Sequence, residues 1–414
     1  MLTNYLKIAL KVLKRHPFFT FISLFGISFT LFVVTVLLAL IDHLTGSYHP
    51  EQNRDRSLYV QTVRLVNSKT GSQTYGQGSY WFFEQYVRGM KTPEAVSLVS
   101  MPVPYVIYQG SQKIRTQLKY VDAAFWQVMQ FDFLDGTPIS SERYQQADPV
   151  AVISRHVRDE YFANEKESVV GKTILVNQQK LRIVGVVDDV PITRLFSSAG
   201  IYIPFTAVPT IRQNRGYLGG VIAILMARNP SDFEAIRAEY DQIVKTVSMR
   251  DNREYDVFES SAETYINGFL KGFSNGSVTI GFLKTVLAVF IGLFLFLPTL
   301  NLININVSRT LERASEIGIR KAFGASRRTL ALQFVVENVF VTLLGGTISI
   351  VVSALLLAWL NRSGLLPYSD LSISLNVVGW SLGICLVFGV LSGAYPAWRL
   401  SKMPIVDALK GLSL

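Results

Sequence analysis

The sequence predicts an α-helical four-span membrane protein with a large α/β (α+β) extracytoplasmic domain between spans one and two. Three observations predict it. Four long runs carry no charge, basic residues crowd three short segments beside those runs, and the stretch between the first two runs carries strand and helix patterns. About 20 apolar residues at ~1.5 Å rise cross a bilayer core of roughly 30 Å. Each run has at least 23 uncharged residues and is long enough. Only 17% of the 414 residues are charged and 49% are hydrophobic, where a soluble domain carries about 25% charge.

Residues 1–17 are predicted to be a cytoplasmic amphipathic helix. Asn4, Lys7, Lys11 and Lys14 recur at spacings of three and four, and Leu6, Leu10 and Leu13 fall on another face. Such a helix lies on membrane lipids with its lysines toward anionic headgroups. The same residues read equally well as the cytoplasmic start of span one. Span one is 18–41, from Phe18 to Ile41. Its apolar core exceeds the 7–15 residues of a signal peptide and no small-residue cleavage site follows, so it reads as a retained anchor.

Residues 42–284 are predicted to form the large domain. Leu58 to Val66 reads as a strand and Ser79 to Val87 as a short helix with an aromatic face. Pro149 to Ile153 is a β-branched run that turns at Ser154 into a helix through Phe162. Ile174 to Val176 and Lys180 to Val187 flank Asn177-Gln178-Gln179 as a hairpin. Gly200 to Phe205 is another strand. Ser231 and Glu234 form a capping box before Phe233, Ile236, Tyr240, Ile243 and Val247, the apolar face of an amphipathic helix. Strands concentrate at about 120–225, which suggests an α/β base with a β-rich inserted lobe.

Span two is 285–307. It contains Pro298, a candidate kink, and Asn301, Asn304 and Asn306, candidate interhelical donors. A cytoplasmic loop or helix follows at 308–337, span three at 338–360, a short outer loop at 361–370, span four at 371–398 and a cytoplasmic tail at 399–414. Gly345-Gly346, Ser349 and Ser353 in span three, and Gly379, Gly383, Gly389 and Gly393 in span four, are read as helix-packing positions. Cys385 in span four is read as an apolar filler.

The net charge of +10 is concentrated at Lys7, Lys11, Lys14 and Arg15, in the loop with Arg309, Arg313, Arg320, Lys321, Arg327 and Arg328, and in the tail with Arg399, Lys402 and Lys410. Lys and Arg concentrate in cytoplasmic loops. Both termini and the 308–337 loop are therefore expected in the cytoplasm, with the large domain outside. The basic balance serves topology, so it does not point to nucleic acid.

No catalytic site is found. Gly171-Lys172-Thr173 lacks the glycine a phosphate loop needs five positions earlier, where Lys166 stands. His16, His43, His49 and His156 have no metal spacing. Asp188-Asp189 is read as a turn closing a strand, not an acid pair.

Two cytoplasmic segments carry a family resemblance. Glu316-Ile317-Gly318-Ile319-Arg320-Lys321-Ala322-Phe323-Gly324-Ala325-Ser326, followed by Gln333, Phe334 and Glu337, resembles the corresponding stretch of FtsX/MacB-type ABC transporter permeases. The closing Gly393-Ala394-Tyr395-Pro396-Ala397 and Pro404 to Lys410 resemble that family's C-terminal pattern. Phe131 to Gly136, Pro149 to Ser154, Val170 to Thr173 and Val184 to Pro191 resemble a MacB-like periplasmic core domain.

The resemblance implies a multi-pass protein of the bacterial inner membrane, itself non-catalytic. It would work by mechanotransmission in efflux or extraction of a substrate at the periplasmic side. No cofactor belongs to the chain; ATP and Mg²⁺ would be bound by an ABC ATP-binding subunit docked on Glu316 to Gly324. Ile317, Ile319 and Phe323 would anchor there, and Arg320 and Lys321 would meet acidic rim residues. Glu337 is a possible coupling residue. With 17 residues before span one, the chain resembles a stand-alone permease, and its single four-span unit implies a homo- or heterodimer. A periplasmic adaptor and outer-membrane channel are possible further partners. Lipoprotein release, as in LolC/LolE permeases, and FtsX-like regulation of an envelope hydrolase are the alternatives.

Overall fold

The computed structural model describes residues 17–162, 167–249, 254–274, 278, 280–312, 319, 322–324, 326–365 and 367–402. The amphipathic helix expected at 1–17 and the motif at Pro404 to Lys410 lie outside the described residues, except Pro17. The chain divides into two compact units. One holds the long apolar helices; the other is residues 44–283 with the loop 364–370.

In the first unit, helix α1 is Pro17–Thr45. The large domain follows, with strands β1 (Ser57–Val60), β2 (Val63–Val66) and β3 (Gln73–Gly76), then helix α2 (Tyr80–Phe82), which continues as a π-turn over Phe83–Val87. Next come β4 (Ala95–Ser100), β5 (Val103–Gln109), β6 (Gln112–Val121), α3 (Phe125–Val128), β7 (Phe133–Gly136) and α4 (Ser141–Gln145). Then follow β8 (Val150–Ser154), α5 (Arg155–Tyr161), β9 (Thr173–Val176), β10 (Gln179–Val187), β11 (Ile201–Pro204), α6 (Pro209–Gln213) and β12 (Val221–Met226). The domain closes with α7 (Phe233–Thr246), β13 (Val257–Ser260) and α8 (Tyr265–Ser274). The remaining long helices are α9 (Ile280–Glu312), α10 (Arg327–Ser363) and α11 (Leu375–Lys402).

Among the described residues, three stretches are long and apolar enough to cross a membrane: Thr20–Thr45, Thr329–Ser363 and Leu375–Ala394. The described part of α9 gives a shorter apolar helix, Ile280–Phe296. The run expected to be span two lies on α9, where the side chains of Pro298, Asn301, Asn304 and Asn306 fall outside the description. The run expected from Leu371 turns helical only at Leu375. Ser374 caps that helix, accepting from the Val377 N–H at 3.3 Å, while Asn361 clasps Leu371 through both backbone groups at 2.9 Å.

Small residues let these helices approach. A methyl group at Gly345 would stand 2.6 Å from Ile27, and one at Gly346 2.5 Å from the Cys385 sulfur. Gly393 is similarly closed by Asn338 at 3.0 Å. Gly379 and Gly383 instead face open space. The Thr35 and Ser381 hydroxyls meet at 3.1 Å, a polar contact of the kind that joins helices in lipid.

In the second unit, β1-β12-β4-β6-β11-β8-β10-β7 form one sheet, with β5 paired to β6 and β9 to β10. Strands β8/β10 and β6/β11 run parallel and the other pairs antiparallel. A three-stranded sheet, β13-β2-β3, is hydrogen-bonded separately but shares a core with β1 and β12 through Val63, Leu65 and Phe258. Strand β12 alternates between two cores: Val221, Ala223 and Leu225 enter one, Ile222, Ile224 and Met226 the other. The first core is roofed by Phe82, Phe83 and the Ile236–Tyr240 face of α7. A third core holds Ile107, Ile114, Ile153, Ile174, Ile183 and Ile201.

Three expectations need correction. Strands are not confined to about 120–225: β1 to β5 precede that range, β6 only ends in it, and β12 pairs with β1 and β4 in the base. The segment Leu58 to Val66 is two strands in different sheets, broken at Gln61-Thr62, because β1 pairs with β12 and β2 with β13 and β3. The cap before α7 lies two residues earlier, where the Asp232 carboxylate accepts from the Asn229 N–H at 3.2 Å. Pro230, with its fixed φ and no N–H, suits the first turn better than Ser231.

Candidate functional site

The expected docking segment is only partly described. Glu316, Ile317, Gly318, Arg320 and Lys321 lie outside the described residues. Ile319, Ala322, Phe323 and Gly324 form the described turn, in which the Phe323 N–H donates to the Ile319 carbonyl at 3.0 Å. Gly324 has φ +90°, a left-handed conformation that ends a helix and that glycine adopts without strain. Phe323 is 89% exposed. Ser326 then opens α10, accepting from the Thr329 N–H at 3.2 Å.

Glu337 lies on the covered face of α10 with Leu330, Gln333, Phe334 and Val341. Their spacing of three and four residues keeps them on one side of the helix. The sequence reading ends the 308–337 loop at Glu337; the apolar stretch instead begins at Thr329, about two turns before it.

The structure also brings together a site that sequence reasoning missed. Where the chain leaves α1, Glu51, Arg54, Arg194 and Ser197 form a buried polar cluster, none more than 5% exposed. One Glu51 oxygen (Oε2) accepts from Arg54 Nε at 3.0 Å and from its Nη2. The other (Oε1) accepts from the Ser197 N–H at 3.1 Å and its hydroxyl at 2.7 Å.

The two arginines hold the chain just past α1. Arg54 Nη1 donates to the Leu44 carbonyl at 2.6 Å, and Arg194 Nη1 to the Gly46 carbonyl at 2.9 Å. Burial, with Arg54 nearby, pushes the Arg194 guanidinium down from its ordinary value. Lys119 lies in the same neighbourhood, fully buried, with Nζ donating to the Leu195 carbonyl at 2.7 Å. Burial pushes its ammonium down to about 7.

The same cluster holds α8, the helix that leads into α9. The Arg54 guanidinium sits 3.9 Å from the Tyr265 ring centre. The Tyr265 ring belongs to an aromatic group with Tyr59, Phe196 and Phe269, whose contacting rings lie 5.0–5.7 Å apart, some stacked and some edge-on. Gln61 donates to the Tyr265 carbonyl at 2.9 Å, and Tyr59 exchanges backbone hydrogen bonds with Glu263. The cluster therefore clasps the two chain segments that connect the domain to α1 and α9. A third connection, the loop 364–370, places Tyr368 at φ +58° with its ring 5.9 Å from His156.

The only sequence signal for this cluster was the acid–base pair Glu51 and Arg54, three residues apart just after a long apolar run. Nothing local tied it to Arg194 or Ser197, some 140 residues away. Asp188 and Asp189 follow the end of β10, as expected, and hold the first turn of α5 that Ser154 caps: Asp188 pairs with Arg155 at 2.9 Å and Asp189 accepts from the His156 N–H at 3.1 Å.

The chain matches two family models in order: the MacB-like periplasmic core domain over residues 20–243 and the FtsX-like permease C-terminal over residues 288–405. The first alone covers more than half the chain. The macrolide export ATP-binding/permease protein MacB of Escherichia coli O157:H7 is 26% identical over 349 residues, covering 78% of this chain and 49% of that protein. The MacB of Shigella flexneri gives the same figures. The chain thus spans about half the length of the curated relatives it matches. Among solved structures, the periplasmic region of MacB from Actinobacillus actinomycetemcomitans is 14% identical, covering 55% of this chain and 96% of that one, with a TM-score of 0.36.

Proposed function

The chain belongs to the FtsX/MacB-type permeases, and from that premise we propose that it is the membrane-spanning subunit of an ABC transporter that works by mechanotransmission. An ABC ATP-binding subunit, holding ATP and Mg²⁺, docks on the turn that exposes Phe323, and the 316–324 segment supplies the remaining contacts. Closure of the ATP-binding subunits shifts α9 and α1. The Glu51–Arg54–Arg194 cluster passes that shift into the large domain, because a buried, hydrogen-bonded ionic cluster has a stiff and specific geometry. The domain then squeezes or extracts a substrate at the periplasmic side.

In this reading α9 is span two and completes a set of four, both termini are cytoplasmic and the membrane is the bacterial inner membrane. A second permease copy, identical or related, packs beside α9, whose Phe282, Phe290, Leu293 and Phe296 are exposed. The observation that carries the proposal is the pairing of the two family matches in one chain, on either side of the segment that contains α8.

The test is ATP turnover in lipid. The purified chain alone should hydrolyse no ATP, and a cognate ATP-binding subunit should do so at a rate that depends on the chain. Turnover by the chain alone, or a partner rate unmoved by it, overturns the proposal.

A further inference from the structure

A cleft runs between the three-stranded sheet and α8. Its more apolar end, about 350 Å³ and open to solvent, is lined by Met101 and Phe269 with Phe196 and Ile222 behind them, and by Gln61 and Gln77. Its polar end encloses about 300 Å³ and is lined by Arg64, Glu259, Ser260, Ser261 and Lys271. Thr62 and Tyr75 line both ends, so the two adjoin. Each volume falls in the range of small-ligand sites.

Two details indicate that the space is kept open. Gly268 and Gly272 both line α8 on this side. Gly268 is demanded by packing, since a methyl group there would stand 2.3 Å from Gln61. Gly272 is not: its nearest neighbour would be the Thr62 hydroxyl at an ordinary 3.4 Å. Glycine weakens a helix interior relative to alanine, and what its absence of side chain achieves at 272 is an unfilled cleft. The charges at the polar end are also balanced. Arg64 pairs with Glu259 at 3.3 Å and Lys271 with Glu263. A ligand head with net charge would have to compete with these pairs.

We propose that this cleft binds an elongated amphiphile, apolar at one end and neutral or zwitterionic at the other. Part of the lining lies outside the family matches. Glu259, Lys271, Phe269 and both glycines lie at 244–287, between the two matched regions. The inference stands on the large domain alone and does not depend on the coupling role.

The test uses the full chain in lipid nanodiscs with lysophosphatidylcholine bearing a photoactivatable group at its acyl end, without any ATP-binding subunit. Mapped adducts should include Met101, Ile222 or Phe269. Gly272→Leu, which fills the cleft, should lower that labelling at least tenfold, and Gly272→Ala should change it less than twofold. Unlabelled lysophosphatidylcholine should compete better than lysophosphatidate. Labelling confined to α1, α9, α10 and α11, or cleft labelling equal in all three proteins, overturns the site. Equal competition by lysophosphatidate overturns the head-group assignment. If Gly272→Leu fails to fold, the wild-type adduct map decides alone.

Discussion

Glu51→Gln tests the buried cluster most sharply. The carboxylate neutralises Arg54 and accepts two hydrogen bonds from Ser197. The amide keeps the shape and one good acceptor but leaves Arg54 and Arg194 buried without a counter-charge. Breaking a buried ion pair by removing one partner costs about 3–5 kcal/mol. The retained amide oxygen favours the lower end, about 3 kcal/mol. A domain of this size shifts its melting point by about 2–4 °C per kcal/mol, so the expected loss is roughly 6–12 °C. Intrinsic-fluorescence melting of the full chain in detergent reads it directly. Replacing both partners with apolar residues, Glu51→Leu with Arg54→Met, should recover at least half of the loss, because such swaps of buried pairs are often near neutral. That double variant no longer holds the Leu44 carbonyl, so chain-dependent ATP turnover should stay low although the fold is restored. A melting shift under about 2 °C for Glu51→Gln, or full turnover in the double variant, refutes the reasoning.

Lys119 supplies a pH signature. Its folded value of about 7 lies below the ordinary 10.5, so the unfolded chain binds more protons between those values. Stability should therefore rise with pH across about 7 to 10.5 and be flat in this contribution below 7. Lys119→Met should remove that rise, on the order of 3–5 kcal/mol, as read from melting at pH 7 and pH 9.5; an unchanged difference between the two pH values contradicts it. Glu337→Gln should insert normally but lower transport-linked ATP turnover at least about fivefold, a typical coupling energy; unchanged turnover assigns Glu337 to packing alone. A reporter active only in the cytoplasm should work after Leu414 or near Ala325 and fail near Gln178, and activity at Gln178 reverses the topology.

The long helices were legible because charge-free runs need no partner information. The 174–187 hairpin was legible too: Asn177 and Gln178 take φ of +50° and +62°, the left-handed pair that a two-residue hairpin turn requires. Strand β4 was not. Its Ala95-Val96-Ser97-Leu98-Val99-Ser100 is buried on both faces, so it lacks the alternation that marks a half-buried strand. The β5–β6 hairpin hid behind its exposed polar residues, which shifted the apparent β-rich lobe. The cap at Asn229 was passed over because Ser231 and Glu234 fit the same spacing rule. The clasp around Tyr265 was out of reach for a different reason. It is assembled from Arg54, Arg194 and Tyr265, whose contacts are set by the ten-stranded sheet and not by local pattern.

The central claim, that the chain passes force from an ATP-binding subunit docked at the 316–324 segment, is tested most directly by co-purification of that subunit with docking variants. Phe323→Ala truncates a side chain that is 89% exposed, and central interface anchors contribute about 2 kcal/mol or more. Arg320→Glu with Lys321→Glu adds repulsion against an acidic groove, screened as salt rises. The account predicts normal expression and membrane insertion for both variants, loss of the ATP-binding subunit from both, and a larger loss for the charge reversal at low salt than at high salt. Wild-type recovery of the subunit with both variants would contradict it and place the docking surface elsewhere.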